Sequence, residues 1–279
     1  MIKNCPKGIS ISPQPTNFGP IMFAGRLFEG LRSLSENGLD CVELSLRSIS
    51  DVSPFELKKI LEDQNLFISA VATGQACLFD QLCLGCSNPD QKKRTVDHFK
   101  KVVDFALEIG SRAVIIGGIR GRLADAGDEY RRNFDNGLKA IRDCAEWTDK
   151  NHIPLLIEPI NRYETNWILT AADGRKILDE IGIPTVKLLL DTFHMNIEEK
   201  SSVQAVLDTG NRLGYVHFAD NTRYPPGQGQ TNFRDILNAL YQIGYSGPIV
   251  TEALPLPDDK TAVENTAKFW KDMEINGGK

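Results

Sequence analysis

The chain has little of several things, and each shortage removes a class of function. Four of its 279 residues are histidines, too few for a multinuclear zinc cluster built from many imidazoles. Lysine and arginine total 32 against 37 aspartates and glutamates, a formal net charge of -5, with a pI near 5.5. A nucleic-acid partner calls for a basic face to neutralise phosphates, so none is expected. No uninterrupted apolar run approaches the roughly 20 residues of a membrane-spanning helix. Met1-Ile2-Lys3-Asn4-Cys5-Pro6 also lacks the apolar core of a signal peptide. The expectation is a chain with no membrane partner that works in the cytoplasm. Cys5, Cys41, Cys77, Cys83, Cys86 and Cys144 are dispersed through a chain long enough to fold without staples, which predicts reduced thiols. Cys83-Leu84-Gly85-Cys86 is a lone CxxC, weak ground for zinc or redox chemistry without a second pair.

What the chain does have is an alternation. With 41% hydrophobic and 25% charged residues it can bury a full core. Eight short apolar runs read as buried parallel strands: Gly8–Ser12, Cys41–Leu46, Phe67–Thr73, Ala113–Gly117, Leu155–Pro159, Val186–Thr192, Tyr215–Ala219 and Pro248–Ala253. Between them lie stretches of helical period: Phe28–Asn37, Pro54–Gln64, Pro89–Ile109, Tyr130–Asn151, Ala172–Ile181, Val203–Arg212 and Phe233–Ile243, with Lys260–Met273 last. Ser53-Pro54-Phe55-Glu56 and Asn88-Pro89 carry cap-then-proline starts, and Gly110 and Gly244 sit where a left-handed residue ends a helix. Eight strand–helix units in this length predict an α/β fold, a single (β/α)8 TIM-barrel domain over 1–279, rather than an open doubly wound sheet. No GxGxxG follows the first strand. The glycine-rich Gly117-Gly118-Ile119-Arg120-Gly121-Arg122 lies after the fourth.

In such barrels functional side chains gather at the C-terminal strand ends. Four polar residues interrupt late strand positions in succession: Glu158 after Leu155-Leu156-Ile157, Asp191 after Leu188-Leu189-Leu190, His217 after Tyr215-Val216 and Glu252 after Ile249-Val250-Thr251. They stand 33, 26 and 35 residues apart, each about one βα unit of a barrel of roughly 250 residues. Three carboxylates and one imidazole around a common axis predict a site for one divalent cation. This oxygen-rich set suits Mn²⁺, Mg²⁺ or Co²⁺ better than structural zinc or copper. Taken singly, a carboxylate near a strand end is more often a cap or an ion-pair partner. Three converging carboxylates without a cation would repel one another. Glu164, His194 and Arg223 lie close behind in the following loops and are candidate substrate contacts. The plain alternative for Arg223 is neutralisation of Glu164 or Asp220 at the surface. Arg120 and Arg122 read equally as binders of a phosphate or carboxylate and as rim salt bridges.

At these residues the chain resembles the xylose isomerase-like barrel superfamily and, within it, the D-tagatose 3-epimerase-like family of ketose 3-epimerases. The resemblance spans nearly the whole chain and is sharpest from Leu155 to Pro257. Ile157-Glu158-Pro159-Ile160-Asn161-Arg162-Tyr163-Glu164-Thr165, Leu190-Asp191-Thr192-Phe193-His194-Met195-Asn196-Ile197-Glu198-Glu199, Val216-His217-Phe218-Ala219-Asp220 with Arg223 and Pro226-Gly227-Gln228-Gly229, and Thr251-Glu252 carry it. It implies an isomerase of carbohydrate metabolism, with Glu158, Asp191, His217 and Glu252 on a cation, manganese foremost. It further implies a Glu158/Glu252 acid–base pair working through a metal-stabilised enediolate, substrate contacts from Glu164, His194 and Arg223, a small-molecule sugar substrate of the D-tagatose, D-fructose or L-ribulose type, and room for a homo-oligomer. Two segments depart from the family pattern. The first strand, Gly8-Ile9-Ser10-Ile11-Ser12-Pro13-Gln14-Pro15, lacks the aromatic cluster found there in many members, and the Gly117–Arg122 loop differs. The same ligand set would also serve a hydroxypyruvate-type isomerase, an inosose dehydratase, a 3-keto-sugar enzyme or a ketose-phosphate 3-epimerase. A DNA-repair endonuclease of the endonuclease IV type is disfavoured by the histidine count, and by Asn221-Thr222-Arg223 where that family has Asp-x-His. A non-catalytic sugar binder is disfavoured by the intact ligand set.

Overall fold

In the computed structural model, which describes residues 4–50, 52–124 and 127–275, eight parallel strands close on themselves in sequence order. They are β1 Lys7–Ile11, β2 Cys41–Ser45, β3 Phe67–Ala72, β4 Val114–Ile116, β5 Leu155–Ile157, β6 Val186–Asp191, β7 Leu213–Phe218 and β8 Ile249–Thr251. β8 pairs with β1, Lys7 opposite Ile249, which seals the barrel. The (β/α)8 architecture is therefore as expected, while several strands are shorter than their apolar runs. β4, β5 and β8 pair over three residues each, because burial keeps a run apolar beyond the point where it leaves the ladder. Met1–Lys3, half of the segment read for a signal peptide, lie outside the described residues. Among those described, no helix is long and apolar enough to cross a membrane.

The helices start and stop for local reasons. α1 is Leu27–Glu36 and α2 Pro54–Gln64, the latter opened by Ser53, whose hydroxyl accepts from the Glu56 amide at 3.3 Å. α3 is Gly74–Asp80 and α4 Pro89–Glu108, where Asn88 accepts from the amides of Asp90 and Gln91. α5 is Gly127–Lys150 and α6 Ala171–Ile181. α6 carries a complete capping box between Thr170 and Asp173 that the sequence reading passed over. α7 Thr192–Glu198, α8 Ser202–Thr209, α9 Phe233–Gln242 and α10 Asp259–Ile275 complete the ring. Gly110 and Gly244 take φ of +74° and +68°, the left-handed stop anticipated for them. α3, α7 and the 3₁₀ turn Gly118–Arg120 were not anticipated. Each is too short to show a hydrophobic period. Each lies in the segment that follows a strand, β3, β6 or β4, on the side where function is expected.

Alternation along the strands divides the core in two. Leu155, Ile157, Leu188, Leu190, Val216, Phe218 and Ile249 belong to the large layer between sheet and helices. Their neighbours Leu156, Leu189, Tyr215 and Val250, with Cys41, Ala70, Ala113 and Ile115, form a separate cluster. That is the inward set of the strands, the plug of the barrel. Gly8 stands opposite Cys41, where an added Cβ would lie 2.5 Å from the Cys41 carbonyl oxygen and 2.6 Å from its sulfur. Gly8→Ala is expected to lower the unfolding free energy by about 1–3 kcal/mol, the usual cost of overpacking a filled interior. Urea denaturation checks this through a lower midpoint at unchanged slope.

Candidate metal centre and active site

The barrel plug fixes where the polar residues point. Two positions beyond Leu156, Leu189, Tyr215 and Val250, on the same inward parity, come Glu158, Asp191, His217 and Glu252. The four are 7%, 1%, 1% and 8% exposed. One donor atom from each lies within 4.8 Å of all the others. His217 Nδ1 is 3.6 Å from Glu158 Oε1, 3.8 Å from Asp191 Oδ2 and 3.9 Å from Glu252 Oε2. Three of these atoms, Glu158 Oε1, Asp191 Oδ2 and His217 Nδ1, are buried and accept or donate no hydrogen bond. Buried polar atoms are seldom left so. Three orphans converging on one point, with carboxylate and imidazole chemistry, are what a hard divalent cation requires.

Asp191 and His217 are oriented by the bonds their other polar atoms make. Asp191 Oδ1 accepts from the Phe193 amide at 2.6 Å and so caps α7, leaving Oδ2 for the centre. His217 Nε2 lies 2.7 Å from Glu43 Oε2. That contact keeps a ring proton on Nε2 and turns Nδ1 toward the carboxylates, where its lone pair would be available to a cation that displaced the second proton. Glu43 is fully buried on β2 and its other oxygen accepts from Ser10 Oγ at 2.9 Å. The sequence reading missed Glu43. Its signal was a glutamate inside the apolar run Cys41-Val42-Glu43-Leu44, on the inward parity of Cys41.

The three residues expected to meet substrate form one network with the cluster. Asn161, also unanticipated, accepts from the Tyr163 amide through Oδ1, which fixes its amide orientation. Its Nδ2 then donates to Glu164 Oε1 at 2.9 Å and to His194 Nδ1 at 2.8 Å. His194 therefore carries its proton on Nε2, which sits 3.8 Å from Glu158 Oε1 and 3.9 Å from Asp191 Oδ2. Arg223 is a buried bridge, with Nη1 3.2 Å from Glu164 Oε1 and Nη2 2.8 Å from Glu252 Oε2. Its guanidinium lies 4.4 Å from the centre of the Phe193 ring. Of the alternative of surface neutralisation, the pairing with Glu164 holds, but the arginine is buried and its second partner is Glu252. The Asp220 carboxylate makes no ion pair with the Arg223 guanidinium; it accepts from the amides of Asn221, Gly227, Gly229 and Thr231 and shapes that loop.

Both readings of Arg120 are corrected as well. Its side chain is completely buried and donates to the carbonyls of Gly117, Glu158, Trp167 and Ile168. These carbonyls occupy its donors, and it makes no ion pair with a rim carboxylate among the described residues. It ties the β4 loop to the β5 loop through the backbone of Glu158 itself. Arg122, two residues on, is exposed and lines the cavity over the cluster. That cavity holds about 320 Å³ and is lined also by Phe18, Cys77, Leu78, Ile115 and Ile160. All six cysteines are free, Cys83 and Cys86 included.

Electrostatics reinforce the need for a cation. Burial pushes the Glu252 carboxyl up to about 8, His217 and Arg223 pulling the other way and Glu158 and Asp191 adding to the rise. Burial also lifts Asp191 to about 6, against the pull of Arg223 and His217. For His217, burial opposes the charged ring, but the Glu43 and Glu158 carboxylates outweigh it and hold the imidazole well above its usual range. Burial and the neighbouring Arg223 and His217 charges keep His194 well below its usual range, a neutral ring. Without a cation, these carboxyls take up protons that a bound cation would displace.

Comparison with known proteins agrees with this architecture. The family model described as xylose isomerase-like TIM barrel matches residues 31–273. The chain is 31% identical over 237 residues to an L-ribulose 3-epimerase of Methylomonas sp. (strain DH-1), covering 85% of this chain and 81% of that protein. It is 29% identical over 260 residues to a ketose 3-epimerase of Arthrobacter globiformis, covering 89% and 88%. Among solved structures, a D-allulose 3-epimerase from Methylomonas sp. in complex with D-allulose superposes with a TM-score of 0.82 at 26% identity, covering 97% of each chain.

Two outcomes are expected of the centre. The metal-free protein should lose thermal stability as pH rises from the ordinary carboxylate range to about 8. Glu252 and Asp191 have folded-state pKa values above their unfolded ones, so the stability they confer is present at low pH and lost as they ionise. Mn²⁺ should restore it, by about 2.7 kcal/mol at a hundredfold excess over its dissociation constant, with a larger shift at pH 8 than at pH 5.5. Scanning calorimetry across that range with and without Mn²⁺ reads both trends. Separately, Glu43→Ala should weaken Mn²⁺ binding by about 10- to 100-fold, the usual effect of removing a partner that orients a ligand. Titration calorimetry measures this without recourse to turnover.

Proposed function

The chain belongs to the xylose isomerase-like TIM barrel family, in its ketose 3-epimerase branch. It is by that kinship a carbohydrate epimerase, and from this premise we propose that it inverts C3 of a ketose with the help of one divalent cation. The observation that carries the reading is the convergence of three orphaned buried atoms, with Glu252 beside them, at the floor of a cavity lined by His194, Glu164 and Arg223. Glu158, Asp191, His217 and Glu252 would hold the ion, Mn²⁺ first and Mg²⁺ or Co²⁺ next, given their oxygen-rich donor set. When bound, such an ion supplies Lewis-acid polarisation of the ketose carbonyl, which acidifies the neighbouring C3 proton.

The chain's own residues then divide the work. One of Glu158 and Glu252 removes the C3 proton, and the other delivers a proton to the opposite face, which inverts the carbon. Arg223 fixes the Glu252 carboxylate and offsets its charge. The Nε2 proton of neutral His194 is a donor for a sugar oxygen, and Asn161 holds that ring in place. Glu164 accepts from Asn161 and Arg223 and presents its second oxygen to a substrate hydroxyl. The sugars that suit this reading are those of the D-tagatose, D-fructose or L-ribulose type. The whole chain, 1–279, is read as one barrel unit.

Incubation of the Mn²⁺-loaded protein with a panel of ketoses in D₂O, followed by NMR, tests the reaction. Deuterium should enter C3 as the C3 epimer appears. Exchange confined to C1 would point instead to an aldose–ketose isomerase of the hydroxypyruvate type. Glu158→Gln and Glu252→Gln should each reduce C3 exchange by about 10²- to 10⁴-fold, the usual contribution of a positioned acid or base. Full exchange in both variants sinks the acid–base assignment.

A further inference from the structure

Three arginines line the cavity, Arg120, Arg122 and Arg223, and two of them are fully engaged. Arg120 gives its protons to four backbone carbonyls, and Arg223 bridges Glu164 and Glu252. Arg122 has no hydrogen-bond or ion-pair partner for its side chain among the described residues. Away from the cluster, the hydroxyls of the wall are occupied as well. Thr73 donates to the Ile115 carbonyl, Thr165 to the Gly121 carbonyl, and Ser45 accepts from Gln75. Apart from the metal cluster and His194, whose open atoms face the reacting end of a substrate, the guanidinium of Arg122 is thus the lining's one polar side chain with no partner among the described residues.

The backbone that carries it is held on both sides. The Gly121 carbonyl accepts from Thr165 Oγ1 at 2.8 Å and from Trp167 Nε1 at 3.0 Å. The Leu123 amide donates to Asn166 Oδ1 at 2.9 Å, and its carbonyl accepts from Asn166 Nδ2 at 3.2 Å. Gly121 takes φ of +64° and an added Cβ there would lie 2.2 Å from the Cys83 sulfur, so glycine is required where the chain turns into Arg122. A long cation on a fixed backbone in an apolar wall is pre-organised for an anion rather than for a neutral hydroxyl. The same cavity is lined by the carboxylates of Glu158, Glu252 and Glu164, with Asp191 in the cluster beside them, which repel a negative group. The two fields together would orient an anionic sugar, its ketone toward the cluster and its charge toward Arg122.

We propose that Arg122 is a specificity-determining residue, and that the substrate is a ketose bearing an anionic group, a phosphate ester or a carboxylate, at the end remote from C2 and C3. The inference rests on the ketose reading above for the head of the molecule and adds the chemistry of its tail. Calorimetric titration of the Mn²⁺-loaded protein with D-fructose, D-fructose 6-phosphate and D-fructuronate tests it, because the three share the ketose head and differ at C6. At least one anionic ligand should bind tenfold or more tightly than fructose. That preference should fall at least tenfold in Arg122→Gln, about 1.4 kcal/mol, and be partly kept in Arg122→Lys. Whichever of phosphate and carboxylate shows the larger preference names the source of the charge. Equal affinity for the three ligands, or a preference untouched in Arg122→Gln, overturns the proposal. Deuterium exchange at C3, measured on the same ligands, separates the two claims. Arg122-dependent anion preference without exchange upholds Arg122 and overturns the epimerase reading.

Discussion

The structure turns on mutual repulsion among buried carboxylates. Glu158, Asp191 and Glu252 present oxygens within 4.8 Å of one another and of His217, all four side chains buried. Like charges so placed cannot all stay ionised unless positive charge sits among them. Arg223 supplies part of it from one side and, while no cation is bound, a protonated His217 another part. A divalent ion among the orphaned atoms would take the place of that proton and fill the open valences. The scaffold keeps this arrangement from relaxing, since each side chain projects from the end of a different strand of a closed sheet. A cluster on one loop would splay apart; one on four ladders is held by the whole barrel.

Rigidity around the centre comes from groups that touch no substrate. Glu43 reaches His217 from β2, and Ser10 on β1 holds Glu43, so strands on the far side of the barrel set the direction of one imidazole. Arg120 connects the β4 and β5 loops by gripping carbonyls, one of them belonging to Glu158. Its positive charge is buried without a carboxylate partner, and burial draws its affinity for protons down to about 10, against the pull of Glu158 and Glu164. Four carbonyl dipoles make that burial tolerable. The same loop then presents Arg122 to the cavity, so a structural arginine and an exposed one two residues apart have unrelated surroundings.

Much of this was legible beforehand, for reasons that particular residues make clear. Strand–helix alternation follows from local periodicity, and the cap at Ser53, the cap at Asn88 and the left-handed stops at Gly110 and Gly244 are written in single residue types. Glu158, Asp191, His217 and Glu252 stood out because a charged residue at the end of an apolar run is costly without a task. Glu43 carried the same signal and was passed over, because it sits mid-strand rather than at a strand end. α3 and α7 gave no signal, being too short for a helical period to show.

The sequence by itself determined the number of strand–helix units, the parity that sends four polar side chains inward, and the residue types able to hold a hard cation. Each is a local property, set by backbone period and side-chain chemistry. Tertiary structure alone decided which atoms meet. It decided that His217 faces the carboxylates through Nδ1, that Asn161 sets the tautomer of His194, and that Arg223 bridges Glu164 and Glu252. It also decided that Arg120 is consumed by carbonyls while Arg122 has no side-chain partner among the described residues. Those outcomes depend on residues up to 174 positions apart brought together by closure of the barrel, and on which partner reaches each hydrogen-bonding group first. No local pattern encodes that competition.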